Sequence, residues 1–156
     1  AEALCRLGGR LGEAKTALKD AVTAGFENLG NSIIDAADTW IYDGDSDLGA
    51  DVAEAYFTDE VEPLFDANPL QETMLQKYLA FFGASGESLE AYNDYRRLKG
   101  AGENFIVLKN PQNSSKFPLR FGYGADDVLA NPEVKAAFGD GQYVYSEAVW
   151  WAGGNK

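Results

Sequence analysis

The sequence contains no histidine and a single cysteine among its 156 residues. The lack of histidine excludes Ser-His-Asp and Cys-His catalysis and every histidine-based metal site. Cys5 permits no internal disulfide bond, and we interpret it as a small buried side chain in a helix. No segment approaches the roughly 20 consecutive apolar residues that a membrane-spanning helix needs. The chain opens in helical sequence without a recognisable signal peptide, so we expect a fragment of a longer protein or a mature product.

Basic residues are also scarce. The chain has 13 Lys and Arg against 25 Asp and Glu, which gives a formal net charge of −12. This balance argues against nucleic acid as a partner, because phosphate binding depends on clustered basic residues. It also argues against adhesion to an anionic membrane surface through a basic patch. Neutral sugars, cations and basic proteins stay open as partners.

A helix pair at residues 69–97 is the best-defined part of the sequence. Asn68 suits the N-cap position and Pro69 the first helical position, while Gly83 fits the position just past a helix end. These signals predict one helix over 69–82 and a second over 86–98. The apolar and aromatic residues of this helix pair recur at helical spacing. We expect four of them to be buried together: Tyr78, Phe82, Leu89 and Tyr92.

Helices are also predicted on both sides of this pair. Residues 1–7 form the end of a helix stopped by Gly8-Gly9, and residues 11–29 form an amphipathic helix that Gly30 closes. Shorter helical segments are expected at 50–57, 126–129 and 131–138.

The last third of the sequence has a different texture. Residues 105–108 are a strand candidate, residues 117–123 are predicted to be extended and broken by Pro118, and residues 143–154 are predicted to be extended and aromatic. The predicted fold class is therefore mainly α. Helix pairs over residues 1–99 are followed by an irregular, aromatic-rich part over 100–156, which packs on the helices and holds a few short strands. We expect residues 1–156 to form a single domain.

An acidic loop precedes the predicted helix at residue 50. Five carboxylates occupy positions 1, 3, 5, 9 and 12 of a calcium-loop frame: Asp43, Asp45, Asp47, Asp51 and Glu54. Calcium is therefore a candidate cofactor. The frame departs from the pattern at position six, where Leu48 replaces the usual glycine and Gly49 follows. A solvated acidic turn is the alternative.

Exposed aromatic rings are candidates for stacking on sugars. The sequence offers Trp40, Tyr42, Tyr56, Tyr123, Tyr143, Tyr145, Trp150 and Trp151. Trp40 and Tyr42 stand beside the acidic loop and are the better candidates for ligand binding. For Trp150 and Trp151, at an aromatic chain end, packing is the favoured alternative.

Two adjacent arginines, Arg96 and Arg97, stand on the second helix of the pair. They could clamp an anionic ligand with paired hydrogen bonds. We favour a structural role, in which Arg96 or Arg97 bonds the backbone of residues 117–121, because buried arginine is normally paired.

Several motifs follow one another in a recognisable order. The sequence contains QKYLAFFG (76–83), EAYNDYRR (90–97), FPLRF (117–121) with Tyr123, Asn131-Pro132, and VWW (149–151). This set resembles the C-terminal portion of the SusD/RagB family, the SusD-like outer-membrane nutrient-binding lipoproteins of Bacteroidetes. The resemblance spans essentially the whole chain. The acidic loop is not part of the pattern and looks like an insertion.

The resemblance implies a mainly helical fold with tetratricopeptide-like helix pairs. It implies a non-catalytic protein on the outer face of the cell outer membrane, held by an N-terminal lipid anchor that lies outside this chain. Such a protein would capture glycans or other nutrients and deliver them to a SusC-like TonB-dependent transporter. Family members are several times longer, and their glycan contacts lie largely upstream. This fragment is therefore expected to hold scaffold and little ligand site.

Two other classes of function stay open. One is a structural or protein-interaction helical module with no ligand site in this fragment. The other, less favoured, is a glycoside hydrolase, which would need a pair of carboxylates across the scissile bond. With 25 Asp and Glu, some pair lies at a suitable separation, but no sequence feature singles one out.

Overall fold

The computed structural model describes residues 1–37, 48–82, 88–111 and 116–154. Within these ranges all regular secondary structure is helical, and no strand is present. The α-helices are α1 (Glu2–Leu7), α2 (Leu11–Ala37), α3 (Ala50–Tyr56), α4 (Glu62–Ala67), α5 (Pro69–Ala80), α6 (Ser88–Gly100), α7 (Ala125–Ala130), α8 (Pro132–Phe138) and α9 (Tyr143–Ser146). A π-helical turn joins α3 to α4 (Phe57–Val61), and a 3₁₀ turn follows α9 (Trp150–Ala152). None of these described helices is both long and apolar enough to cross a membrane.

The chain divides into two compact units, Ala1–Ser85 and Gly86–Lys156. Helix α6 groups with the second unit. The sequence pattern places the division after residue 99 instead, because α6 continues the helical character of α5. The mainly α class is confirmed, whereas the few short predicted strands do not occur in the described ranges.

The first unit opens with two helices that meet at a glycine turn. Gly8 and Gly9 have φ of 67° and 68°, a conformation that glycine adopts without steric cost, so α1 ends where the sequence predicts. The prediction that Gly30 closes the next helix is wrong, since α2 continues to Ala37. A glycine inside a helix costs only about 1 kcal/mol relative to alanine, and the hydrogen bonds of a long helix outweigh that.

The core of the first unit lies between α2 and the segment from the π-helical turn to α4. Both sides contribute side chains at a spacing of four residues, and the buried set is Ala14, Leu18, Val22, Phe57, Val61 and Phe65. Each large apolar side chain buried in this way contributes about 1.5–3 kcal/mol. At the edge of this core, Lys15 forms ion pairs with Glu62 at 2.9 Å and Asp66 at 2.6 Å. The hydrogen bonds to Asp66 and Glu62 raise the pKa of Lys15.

Helix α5 begins as predicted, because Oδ1 of Asn68 accepts a hydrogen bond from the backbone N–H of Gln71 at 3.3 Å and Pro69 follows. The prediction that Tyr78, Phe82, Leu89 and Tyr92 are buried together is wrong, although Met74 on α5 is buried. Phe82 is 89% exposed and Leu89 is 48% exposed, so the expected joint burial with Tyr78 and Tyr92 does not occur. Helix α5 ends at Ala80, and Phe82 is therefore not carried on the helix face.

The buried positions of α5 are Glu72, Thr73 and Met74. The thiol of Cys5, which the sequence predicts to be buried, is partly buried and lies 3.7 Å from the hydroxyl of Thr73. Helix α5 therefore meets α1 partly through polar side chains.

In the second unit, α7 and α8 form where the sequence predicts them. Asn131 caps α8, since its Oδ1 accepts hydrogen bonds from the backbone N–H groups of Glu133 at 3.0 Å and Val134 at 3.3 Å. The strands predicted at 105–108 and 117–123 are wrong. Residues 116–123 have no regular secondary structure, and side chains of α6 bond their backbone; we call them the extended segment after the prediction.

The aromatic end of the chain is helical and not extended as predicted, with α9 and the 3₁₀ turn in this region. The 3₁₀ turn packs against the end of α6 at Gly100. A Cβ added to Gly100 would lie 2.7 Å from both the carbonyl carbon and the carbonyl oxygen of Ala152. Glycine is therefore required there by the close approach of two backbones.

Candidate functional site

An arginine lies enclosed by aromatic rings in the second unit. The guanidinium carbon of Arg96 is 4.4 Å from the ring centre of Tyr92, 4.7 Å from that of Trp151 and 5.6 Å from that of Phe121. Arg96 is 6% exposed. We call these four residues the arginine cage. Its rings present their electron-rich faces to the cation, which compensates in part for the loss of water around the charge.

Hydrogen bonds tie the arginine cage to the extended segment. The hydroxyl of Tyr92 donates to the carbonyl oxygen of Pro118 at 2.8 Å. Nη2 of Arg96 donates to Oδ1 of Asn93 at 2.6 Å, and Nη1 donates to the carbonyl oxygen of Leu119 at 3.5 Å, which is long for a hydrogen bond. The expected bond from an arginine to residues 117–121 is therefore present for Arg96.

Arg97 has a different partner, since its Nη2 lies 2.8 Å from Oδ1 of Asp94.

Burial raises the pKa of Tyr92, and the charge of Arg96 opposes that shift. The enclosed guanidinium of Arg96 serves the packing of this unit and offers little surface to a ligand.

An apolar pocket of about 520 Å³ lies beside the cage. It is lined by Leu89, Tyr92, Pro118, Arg120, Phe121, Gly122 and Val144. The guanidinium of Arg120 lies over the rings of Tyr143 and Tyr123, at 5.4 Å and 5.5 Å. This lining offers few of the hydrogen-bonding groups that the hydroxyls of a sugar require.

A second pocket, of about 340 Å³, has a mixed lining. Its residues are Lys99, Lys116, Phe117, Leu119, Gln142, Tyr145 and Ser146, and we call it the lysine pocket. Nζ of Lys116 donates to Oε1 of Gln142 at 3.0 Å and lies 5.6 Å from the ring centre of Tyr145. An aromatic wall with charged and neutral polar groups around it is the usual composition of a site for a polar organic ligand.

Three stretches of the chain build the lysine pocket. Lys99 comes from the last turn of α6, and its Nζ lies 3.4 Å from the hydroxyl of Tyr95. The extended segment brings Lys116 and Phe117, whose ring packs edge-on against Tyr95 at 4.9 Å. Helix α9 and the residue before it bring the remaining polar groups. A backbone hydrogen bond from Leu119 N to Val144 O, at 2.7 Å, joins the segment to α9.

The sequence alone does not predict this pocket, although Tyr145 is one of its candidates for stacking on a sugar. The two lysines are separated by 16 other residues, and no local spacing relates them. The available signal was the pair of tyrosines between Gln142 and Ser146, which is weak by itself.

The residues chosen from the sequence are only partly covered by the structure. Trp40, Tyr42, Asp43, Asp45 and Asp47 lie outside the described residues. Asp51 and Glu54 lie on α3, where both are exposed, and Glu54 pairs with Lys19 at 2.5 Å. The described part of the chain contains no group of three or more potential metal ligands. Because three of the five proposed calcium ligands fall outside that part, the calcium site stays a prediction.

The two C-terminal tryptophans differ from each other in how far they pack. Trp150 is 64% exposed, so the expectation that it packs is wrong. Trp151 is 40% exposed and contributes one ring face to the arginine cage. Both tryptophans lie in the 3₁₀ turn, and their side chains point in different directions because consecutive residues of such a turn do so.

Comparison with solved structures relates the chain to a known family. No model of a protein family and no curated protein matches the chain. Among solved structures, the chain is similar to a SusD/RagB family protein from Bacteroides thetaiotaomicron VPI-5482, with 56% sequence identity and a TM-score of 0.84. The match covers 100% of this chain and 33% of that protein, so this chain spans about a third of its length. The resemblance carried by the sequence motifs is thereby confirmed, and the chain belongs to the SusD/RagB family as a SusD-like fragment.

Proposed function

We propose that this chain is part of a non-catalytic, nutrient-binding protein of the cell outer membrane. In this proposal the protein captures oligosaccharides and delivers them to a SusC-like TonB-dependent transporter. The observation that carries the proposal is the 56% identity to a SusD/RagB family protein along the whole chain. Attachment to the membrane would come from an N-terminal lipid outside this sequence.

The lysine pocket supports sugar binding within this chain. A pyranose presents an apolar face and a rim of hydroxyls, so it needs a ring to stack on and polar groups beside that ring. Tyr145 offers the ring, and Gln142 and Ser146 offer neutral donors and acceptors at the same pocket. The apolar pocket lacks this combination, and we therefore place the glycan at the lysine pocket.

Isothermal titration of the chain with a panel of oligosaccharides tests this proposal. Tyr145→Ala should weaken the binding of a recognised sugar about two- to tenfold, since an aromatic contact is worth about 0.5–1.5 kcal/mol. Phe82→Ala is the matched control, because Phe82 is 89% exposed and belongs to the first unit. If no oligosaccharide binds, the chain is better described as a helical module without its own ligand site.

Three further measurements address the remaining parts of the proposal. Incubation with polysaccharides should release no reducing sugar, and measurable release would point to a glycosidase instead. Co-purification of the longer protein with a SusC-like transporter from solubilised outer membranes tests the partner. Recovery of the protein in a soluble fraction free of lipid would contradict the anchored location.

A further inference from the structure

Two lysines that line one pocket have neutral partners in place of carboxylates. In the first unit, Lys15 and Lys19 each lie within 3 Å of a carboxylate oxygen. Lys99 and Lys116 instead have neutral oxygen partners, the hydroxyl of Tyr95 and the side-chain amide of Gln142. Neither of them is ion-paired with a described carboxylate, and both line the lysine pocket.

The interaction of an ammonium group with a carboxylate or sulfate oxygen is stronger than its interaction with a neutral oxygen. The present bonds of the two lysines have one ionised partner each, whereas a carboxylate or sulfate adds the attraction between two opposite charges. The net charge of −12 does not prevent such binding, because charges beyond about 8 Å are largely screened at physiological ionic strength. Asp140 is next to this region, but its carboxylate accepts the backbone N–H of Gln142 at 3.0 Å and does not line the pocket.

We propose that the lysine pocket binds an acidic oligosaccharide, with the anionic group of the sugar between the ammonium groups of Lys99 and Lys116. The sugar ring stacks on Tyr145, and Gln142 and Ser146 bind its hydroxyls. The anionic group is the carboxylate of a uronic acid or a sulfate ester. This inference rests on the proposed glycan binding and narrows it to one class of ligand.

The test is isothermal titration of the whole chain with ligands that differ in charge. Tetragalacturonate supplies carboxylates, its fully methyl-esterified form removes their charge on the same backbone, and a sulfated carrageenan tetrasaccharide supplies sulfate. The variants are Lys99→Gln, Lys116→Gln and the double substitution. Lys135→Gln is the matched control, because Lys135 is exposed on α8 and lines neither pocket. Far-UV circular dichroism verifies that each variant is folded.

We expect an acidic tetrasaccharide to bind more tightly than the methyl ester. Each single pocket variant should weaken binding of the acidic ligand about two- to fivefold and the double variant about tenfold, while Lys135→Gln leaves it unchanged. An increase from about 50 to about 500 mM NaCl should weaken wild-type binding more than binding by the double variant. The ligand that binds more tightly identifies carboxylate or sulfate as the anion.

The possible failures are distinguishable. If the methyl ester binds as tightly as the acidic ligands, or if Lys135→Gln is as damaging as the pocket variants, the acidic specificity is refuted and glycan binding stands. If neither acidic nor neutral oligosaccharides bind, both this inference and glycan binding by this chain are refuted.

Discussion

Replacement of Arg96 by alanine should destabilise the second unit by about 2 kcal/mol. Three ring contacts within 6 Å contribute about 2 kcal/mol together. The short hydrogen bond to Asn93 contributes about 2 kcal/mol, as expected for a charged donor. The substitution also removes a buried charge that is costly to desolvate, and that relief returns about 2 kcal/mol. The loss is therefore smaller than the contacts alone would suggest.

Two further substitutions separate the shape of the guanidinium from its charge. Arg96→Lys keeps the charge but loses the planar group that stacks on Tyr92 and Trp151, so its loss of stability should be close to that of Arg96→Ala. Arg96→Met fills the space between the rings without a charge, and we expect it to cost about 1 kcal/mol or less.

Urea denaturation followed by circular dichroism at 222 nm measures these differences by linear extrapolation. Lys135→Ala is the control, since an exposed substitution changes stability by less than about 0.5 kcal/mol. An Arg96→Ala stability within that range of the wild type would contradict a stabilising role of the cage. An Arg96→Lys protein as stable as the wild type would also contradict it, because stacking of the planar group would then contribute nothing.

Three other predictions concern Tyr92, Gly100 and the acidic loop. Tyr92→Phe should cost about 1 kcal/mol at pH 7 through loss of the bond to Pro118. Burial raises the pKa of Tyr92. The stabilisation by the neutral hydroxyl is therefore complete below the ordinary tyrosine pKa of 10.0 and is lost as pH rises through the folded-state pKa. Urea titrations of the wild type and Tyr92→Phe at several pH values test this direction. Gly100→Ala should lower the midpoint of thermal unfolding, because its Cβ would meet the backbone of Ala152, and an unchanged midpoint would contradict that contact. Calcium titration calorimetry should give heat with the wild type and less with Asp45→Ala; identical heats would end the calcium proposal.

The helix ends could be predicted well where the determining interactions are local. Asn68-Pro69 and Asn131-Pro132 each start a helix, because the cap side chain bonds backbone groups only two or three residues away. Gly8-Gly9 ends α1 for an equally local reason. The helix end predicted at Gly30 is wrong, because a glycine is compatible with a helix whose neighbouring turns continue.

The extended segment and the site depend on interactions that are distant in sequence. Residues 117–121 look like a strand, but the hydroxyl of Tyr92 and the guanidinium of Arg96 occupy their carbonyl groups from a helix. The lysine pocket likewise needs residues near 99, 116 and 145 to meet. A single sequence gives the chemical character of these residues but not their juxtaposition.

The arginine cage has a consequence for the order in which the second unit is completed. Trp151, which supplies one ring of the cage, lies 55 positions after Arg96 in the sequence. Helices α1 and α2 of the first unit, in contrast, join residues that are close in sequence. Contacts between distant residues form slowly, because the intervening chain must first be brought together. During synthesis on the ribosome, the cage and the contact between the 3₁₀ turn and Gly100 cannot form until residues 150–152 have emerged from the exit tunnel. A chain interrupted before Trp150 would leave Arg96 open on one side and the end of α6 without its backbone neighbour.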